Sequence, residues 1–387
     1  MKTLRFIFLG LILLFSACSN TPAVPIATQA VVTILPTVLP DTPAPVGINA
    51  AIEEVPTFTG IHMLNEMDGW AVTETQIVRT DDGGVTWYNV TPQGLGELGY
   101  GTASAFIDRE NAFINITDPA DPINGSLYRT SDGGMTWDSN PVPFGWGDLR
   151  FLDSSNGWMM ADRGVGAGNM GIAIFQTTNG GLSWTQAYTN DPNFPDAKDS
   201  LPLGGLKNNL TPITMQTAWV GGVTYASGVV YLYRTVDAGQ NWSLVSLPLP
   251  DDAQNLSFNV EDLQFVTDMD AFLIVRINGD STQQAVYITH DGGGTWLQTP
   301  TLIPQGSSAD FSSATEGVIY NGDQFYVTRD SARTWTSTTP DIVFGDSFSS
   351  MDFVNSSTGW VITTDADNHH SLYRTSDGGA TWFPLVP

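Results

Sequence analysis

RTSDGGMTW, Arg129–Trp137, sets an acid, a glycine pair, a hydroxyl and an aromatic within nine residues, and it returns as RTSDGGATW at Arg374–Trp382. The same pattern reads RTDDGGVTW at 79–87, QTTNGGLSW at 176–184 and RTVDAGQNW at 234–242. ITHDGGGTW at 288–296 and VTRDSARTW at 327–335 complete seven copies. Their spacing suits one four-stranded unit per copy, the mark of a repeat architecture. A catalytic loop has no reason to occur seven times, whereas a structural turn does. Asp82, Asp132, Asp237, Asp291, Asp330 and Asp377, with Asn179 in the third copy, can each accept backbone N–H groups of their own turn. The glycines permit positive φ, the Thr opens an outer strand, and the Trp buries a large ring between units. Ser331 and Ala332 replace both glycines of the sixth copy, which predicts a distorted turn and a less stable unit.

A second motif precedes each copy: MLNEMDGWAV (63–72), FIDRENAFIN (106–115), FLDSSNGWMM (151–160), FVTDMDAFLI (265–274), FSSATEGVIY (311–320) and FVNSSTGWVI (353–362). The fourth repeat has a shortened form, ITMQTAWVGG (213–222). Alternating apolar residues between Gly, Asp and Asn turns predict strands throughout and no helices. The nonapeptide resembles the Asp-box, or BNR repeat, of sialidase-type propellers. The doublet is similar to the photosystem II stability/assembly factor family. These resemblances imply an all-β fold over residues 56–387: a seven-bladed β-propeller of four-stranded antiparallel blades with Asp-box turns.

The N-terminus reads differently. MKTLRFIFLGLILLFSACSN carries Lys2 and Arg5 before an apolar run, then small residues, which reads as an export signal over 1–17. FSAC resembles a bacterial lipobox. That resemblance implies lipid on Cys18, the single cysteine of the chain, and hence an extracytoplasmic protein anchored to the cell membrane. Residues 18–55, rich in Pro, Thr, Ala and Val, read as a semi-extended stalk. The net charge is −26, from 14 basic and 40 acidic residues, which disfavours nucleic acid and anionic membrane surfaces as partners.

Function is expected on the face opposite the repeated turns, where the second-to-third-strand loops and the blade connections vary: TDPADPINGS (117–126), DRGVGAGNMG (162–171), residues 185–209 and TDADNHH (364–370). Of 12 tryptophans, seven close the boxes and four (Trp70, Trp158, Trp219, Trp360) hold the GW position. Trp146 is left over, as a stacking surface for a sugar, a protein hot spot or a local lid. The position preceding each inner-strand anchor is His62, Ala105, Arg150, Thr214, Gln264, Asp310 and Asp352. His62, Arg150, Gln264, Asp310 and Asp352 are thus candidate ligand contacts, or solvated channel lining.

No catalytic residue set emerges. Most of the arginines belong to the boxes, and the FRIP-type motif of sialidases is absent. No P-loop, nucleophile elbow, dinucleotide fingerprint or metal-ligand spacing is present. We therefore expect no cofactor and no metal. The expected function is a non-catalytic, monomeric binding or assembly module with a protein partner or surface glycan on the variable-loop face; the photosystem family resemblance implies a chaperone-like role at membrane complexes. The rival is a cell-surface carbohydrate-binding protein or sialidase-like glycoside hydrolase.

Overall fold

The computed structural model describes residues 52, 56–95, 98, 102–304 and 308–385. The expected signal segment, Cys18 and all of the 18–55 stretch except Ile52 lie outside them. The described residues form antiparallel strands and two short 3-10 turns. No described helix is long and apolar enough to cross a membrane.

The strands group into seven four-stranded units along the chain, spanning Phe58–Asn89, Ala103–Val142, Gly147–Thr189, Leu206–Leu244, Ser257–Pro304, Ser308–Thr338 and Phe348–Leu385. We call these blades 1 to 7. Each is an up-and-down meander, and a single bridge, Val223 to Asn259, joins blades 4 and 5 into one hydrogen-bonded sheet. First strands touch between blades 2 and 3, 3 and 4, 4 and 5, and 6 and 7, and those of blades 7 and 1 touch as well, so the ring closes. Among the described residues closure shares no strand: the last blade takes its four strands from the C-terminal end.

The core lies between blades. Trp70, Trp158, Trp219 and Trp360 are fully buried. Trp70 stacks on Phe106 and Phe113 stacks on Phe151, each pairing the GW position of one blade with the anchor of the next. Phe272 and Phe311 repeat the arrangement between blades 5 and 6. The indole N–H groups of Trp70 and Trp360 reach the carbonyls of Asp108 and Gly83 in neighbouring blades, both at 2.9 Å. A large apolar ring with one satisfied polar atom suits such an interface.

Each box closes in the same way. The Thr hydroxyl donates to the box carboxylate or amide oxygen at 2.8–3.0 Å. That oxygen also accepts the backbone N–H four residues on, at 2.8–3.0 Å. Asn179 keeps both bonds and adds one from its amide to Ser183. The sixth box is a correction to the expected distortion. Ser331 and Ala332 adopt φ of 60° and 58°, the left-handed geometry of the glycines they replace. Asp330 and Thr328 close that turn with the same bonds as elsewhere. The substitution therefore leaves backbone strain in place of a changed shape.

Candidate binding site

The two repeated turns of every blade lie on one face and are tied together. The amide of box residue 83, 133, 180, 238, 292, 331 or 378 donates to a carbonyl of its blade's first turn, at 2.8–3.0 Å. The box arginines are occupied too. Arg79 covers the Trp70 ring and donates to Gly133 in the next blade. Arg374 covers Trp360 and reaches Glu66 across the ring closure. Hydrogen bonding holds the box carboxylates below their ordinary range, Asp291 at about 2. These acids are charged, saturated acceptors rather than proton donors.

The inner ring divides in two. From blade 5 onward, the residue before one anchor captures the backbone N–H of the next. Gln264 Oε1 accepts from Phe311 at 2.8 Å, Asp310 Oδ2 from Phe353 at 2.6 Å, and Asp352 Oδ2 from Met63 at 3.0 Å. Three predicted ligand contacts are therefore clasps between blades. Asp148 provides an equivalent clasp from blade 3 to Leu210 of blade 4. It lies two residues before Arg150, outside the position that the repeat alignment singled out.

Burial dominates the electrostatics of this half. It raises Asp310 to about 7, with a further push from Asp262. It also lifts Asp352 well above the ordinary range, where Asp310 adds repulsion. Asp262 is raised by its own burial.

In blades 1 to 3 the residue before the anchor makes no such clasp among the described residues. These positions are His62, Ala105 and Arg150, and there the ring opens into a cavity of about 900 Å³ lined by all three. Arg150 is half-exposed, and its Nε contacts Asp148 Oδ1 at 2.8 Å, which raises its pKa. His62 lies 3.8 Å from Asp352, but burial and then Arg150 lower its pKa, favouring the neutral imidazole. Glu74, Asn368 and His370 extend the lining toward the variable face. Glu74 is the one carboxylate among the described lining residues. Among the described residues no group of three or more His, Cys, Asp or Glu is arranged to hold a metal ion.

Trp146 stands apart from this cavity. It is 57% exposed, and its carbonyl accepts the Asp162 amide at 2.9 Å. The geometry does not make it a lid over core. Tyr225, 74% exposed in a loop of blade 4, was not singled out from the sequence. Its only signal was a place in a variable loop, and a lone Tyr there carries no motif.

A family model described as the DUF6242 beta propeller domain matches residues 123–321, just over half of the chain. The chain is 23% identical over 361 residues to a xyloglucanase of Hypocrea jecorina (strain QM6a), covering 84% of this chain and 36% of that enzyme. It therefore spans about a third of that curated relative's length. Among solved structures, the GH74 xyloglucanase of Xanthomonas campestris gives a TM-score of 0.58 at 15% identity, over 87% of this chain and 55% of the other. YCF48 bound to D1 peptide gives 0.53 at 18% identity, over 84% and 96%. At these identities the two structural likenesses concern the fold. The chain belongs to the DUF6242 β-propeller family.

Proposed function

We propose that this protein is a non-catalytic binding module, exported and held at a bacterial membrane through lipidated Cys18, whose variable face receives a protein partner. The division between faces carries this reading. The repeated turns are bonded to one another in all seven blades, while the opposite face presents Trp146 and Tyr225 to solvent. Functional loops on a rigid scaffold have this character. The fold is also one on which YCF48 has been seen with a peptide.

A second reading, a surface glycan as ligand, is favoured by the same two aromatic rings and by the likeness to xyloglucanases. A photo-crosslinking residue placed at Trp146 or Tyr225 in living cells is expected to give discrete protein adducts, and one placed at Val85 on the box face none. Release of reducing ends from xyloglucan by the purified chain, or adducts from Val85 alone, overturns the proposal.

A further inference from the structure

The loops of blades 2 to 4 join into one surface. Arg163 donates to the carbonyls of Ile123 and Pro143, at 3.3 and 3.1 Å, and lies 5.8 Å from the Phe194 ring. The Asp162 amide donates to the Trp146 carbonyl. Tyr225 packs over Gly168, so closely that a Cβ there would stand 2.9 Å from its ring. These contacts tie together the loops that carry Ile123, Trp146, Val165 and Tyr225, whose side chains are exposed at 53, 57, 59 and 74%. Exposed aromatic and aliphatic side chains gathered on interlocked loops are characteristic of interaction sites.

The box face also exposes Met67, Val85, Met135, Leu182, Val236 and Met269, but these are spread over the turns of blades 1 to 5. Scattered single apolar side chains of that sort are ordinary surface.

Charge selects the partner. The loops around these side chains carry the solvent-accessible Asp118, Asp121, Asp162, Asp196 and Asp199 against Arg163 and Lys198, while Asp191 is buried beside Arg163. Both cations already have backbone acceptors: Arg163 as above, and Lys198 at the Gln240 carbonyl. Asp118 uses Oδ1 to cap its own turn at Ala120, and Asp162 uses Oδ1 to cap Gly164. Among the described residues neither Oδ2 accepts a further hydrogen bond. The surface thus sets aromatic and aliphatic side chains among more exposed carboxylates than cations, on a chain of net charge −26.

Resting on the binding reading above, we infer that this face recognises a basic polypeptide segment, with a lysine or arginine over Trp146 and its apolar neighbours on Ile123, Val165 and Tyr225. A cation over an indole face gains from the ring quadrupole, and facing carboxylates add attraction and orientation. A polyanion, or an acidic peptide, meets repulsion on the same surface.

The test is a titration of the purified chain with a fluorescent peptide of alternating Lys and Leu, beside its Glu and Leu counterpart. The Lys peptide is expected to bind and the Glu peptide not. Affinity should fall at least tenfold in Trp146→Ala, and severalfold in Asp118→Asn with Asp121→Asn, with Met135→Ser unchanged. Thermal midpoints check that the exposed substitutions leave the fold intact. Equal binding by Trp146→Ala, or binding of both peptides alike, overturns the inference. So does a salt-sensitive association indifferent to every substitution, which would be unspecific attraction to a polyanion. If cellular adducts form at Trp146 while the Lys peptide fails, the binding reading stands and this partner chemistry falls. If no adducts form while the Lys peptide binds as described, the reverse holds.

Discussion

Asp352 in the last blade accepts the backbone N–H of Met63 in the first at 3.0 Å, joining residues 289 positions apart. Among the described residues no strand is exchanged across this junction, and the clasp, the Trp360 indole on Gly83 and the contacts of Glu66 with Asn355 and Arg374 span it. Asp352→Ala leaves the Met63 amide without an acceptor and is expected to cost about 1–3 kcal/mol in urea unfolding. Asp352→Asn retains an acceptor oxygen and should cost under about 1 kcal/mol. An equal loss in both variants would contradict the clasp.

The pH dependence has two opposing wings. Asp310 is raised from 3.8 to about 7. Its contribution to stability is therefore complete below the ordinary carboxylate value and is lost as pH rises through about 7. Asp291 is lowered from 3.8 to about 2, so its contribution is present above the ordinary value and lost as pH falls through about 2. Stability should peak between those limits. Asp310→Asn keeps an acceptor for Phe353 and should flatten the fall near neutral pH. Melting curves across the range check this, and a rise in stability through neutrality would be inconsistent with it.

Backbone strain in the boxes is testable in both directions. Gly133 has φ of 75°, and a Cβ there would stand 2.1 Å from Arg79 Nη1, whose bond to the Gly133 carbonyl crosses the blade boundary. Gly133→Ala should cost about 2–3 kcal/mol. Ala238 holds φ of 61° in the fourth box, so Ala238→Gly should stabilise by up to about 1 kcal/mol. Urea midpoints read both, and a destabilised Ala238→Gly would refute the strain.

The buried indoles should show their weight at ring closure. Trp360 is fully buried, with Phe58 and Leu372 in the same cluster. Trp360→Ala is expected to cost about 3–5 kcal/mol. A much smaller loss in unfolding free energy would mean that the blade 7 to blade 1 interface contributes little.

The blades were legible because each repeats one solution to one problem, a tight turn whose acceptor, hydroxyl and left-handed positions must recur together. Asn179 could be read as a replacement because an amide oxygen accepts the same N–H groups. The sixth box misled because residue identity gives the strain of Ser331 and Ala332, while its neighbours decide whether the turn yields. In the candidate site, aligning inner strands found Gln264, Asp310 and Asp352 but not their task. An acceptor aimed at the next blade and one aimed into a channel have the same sequence. Asp148 was missed because its clasp is offset by two residues. The surface around Trp146 depends on loops packed across three blades, and no local pattern encodes that packing.

Hydrogen exchange on the full chain, with and without the Lys and Leu peptide, tests most directly which face is functional. Added protection is expected in 117–126, 143–146, 162–171, 190–199 and 224–229, with the seven box turns unchanged. Protection confined to the box turns, or none in those loops, would contradict the account.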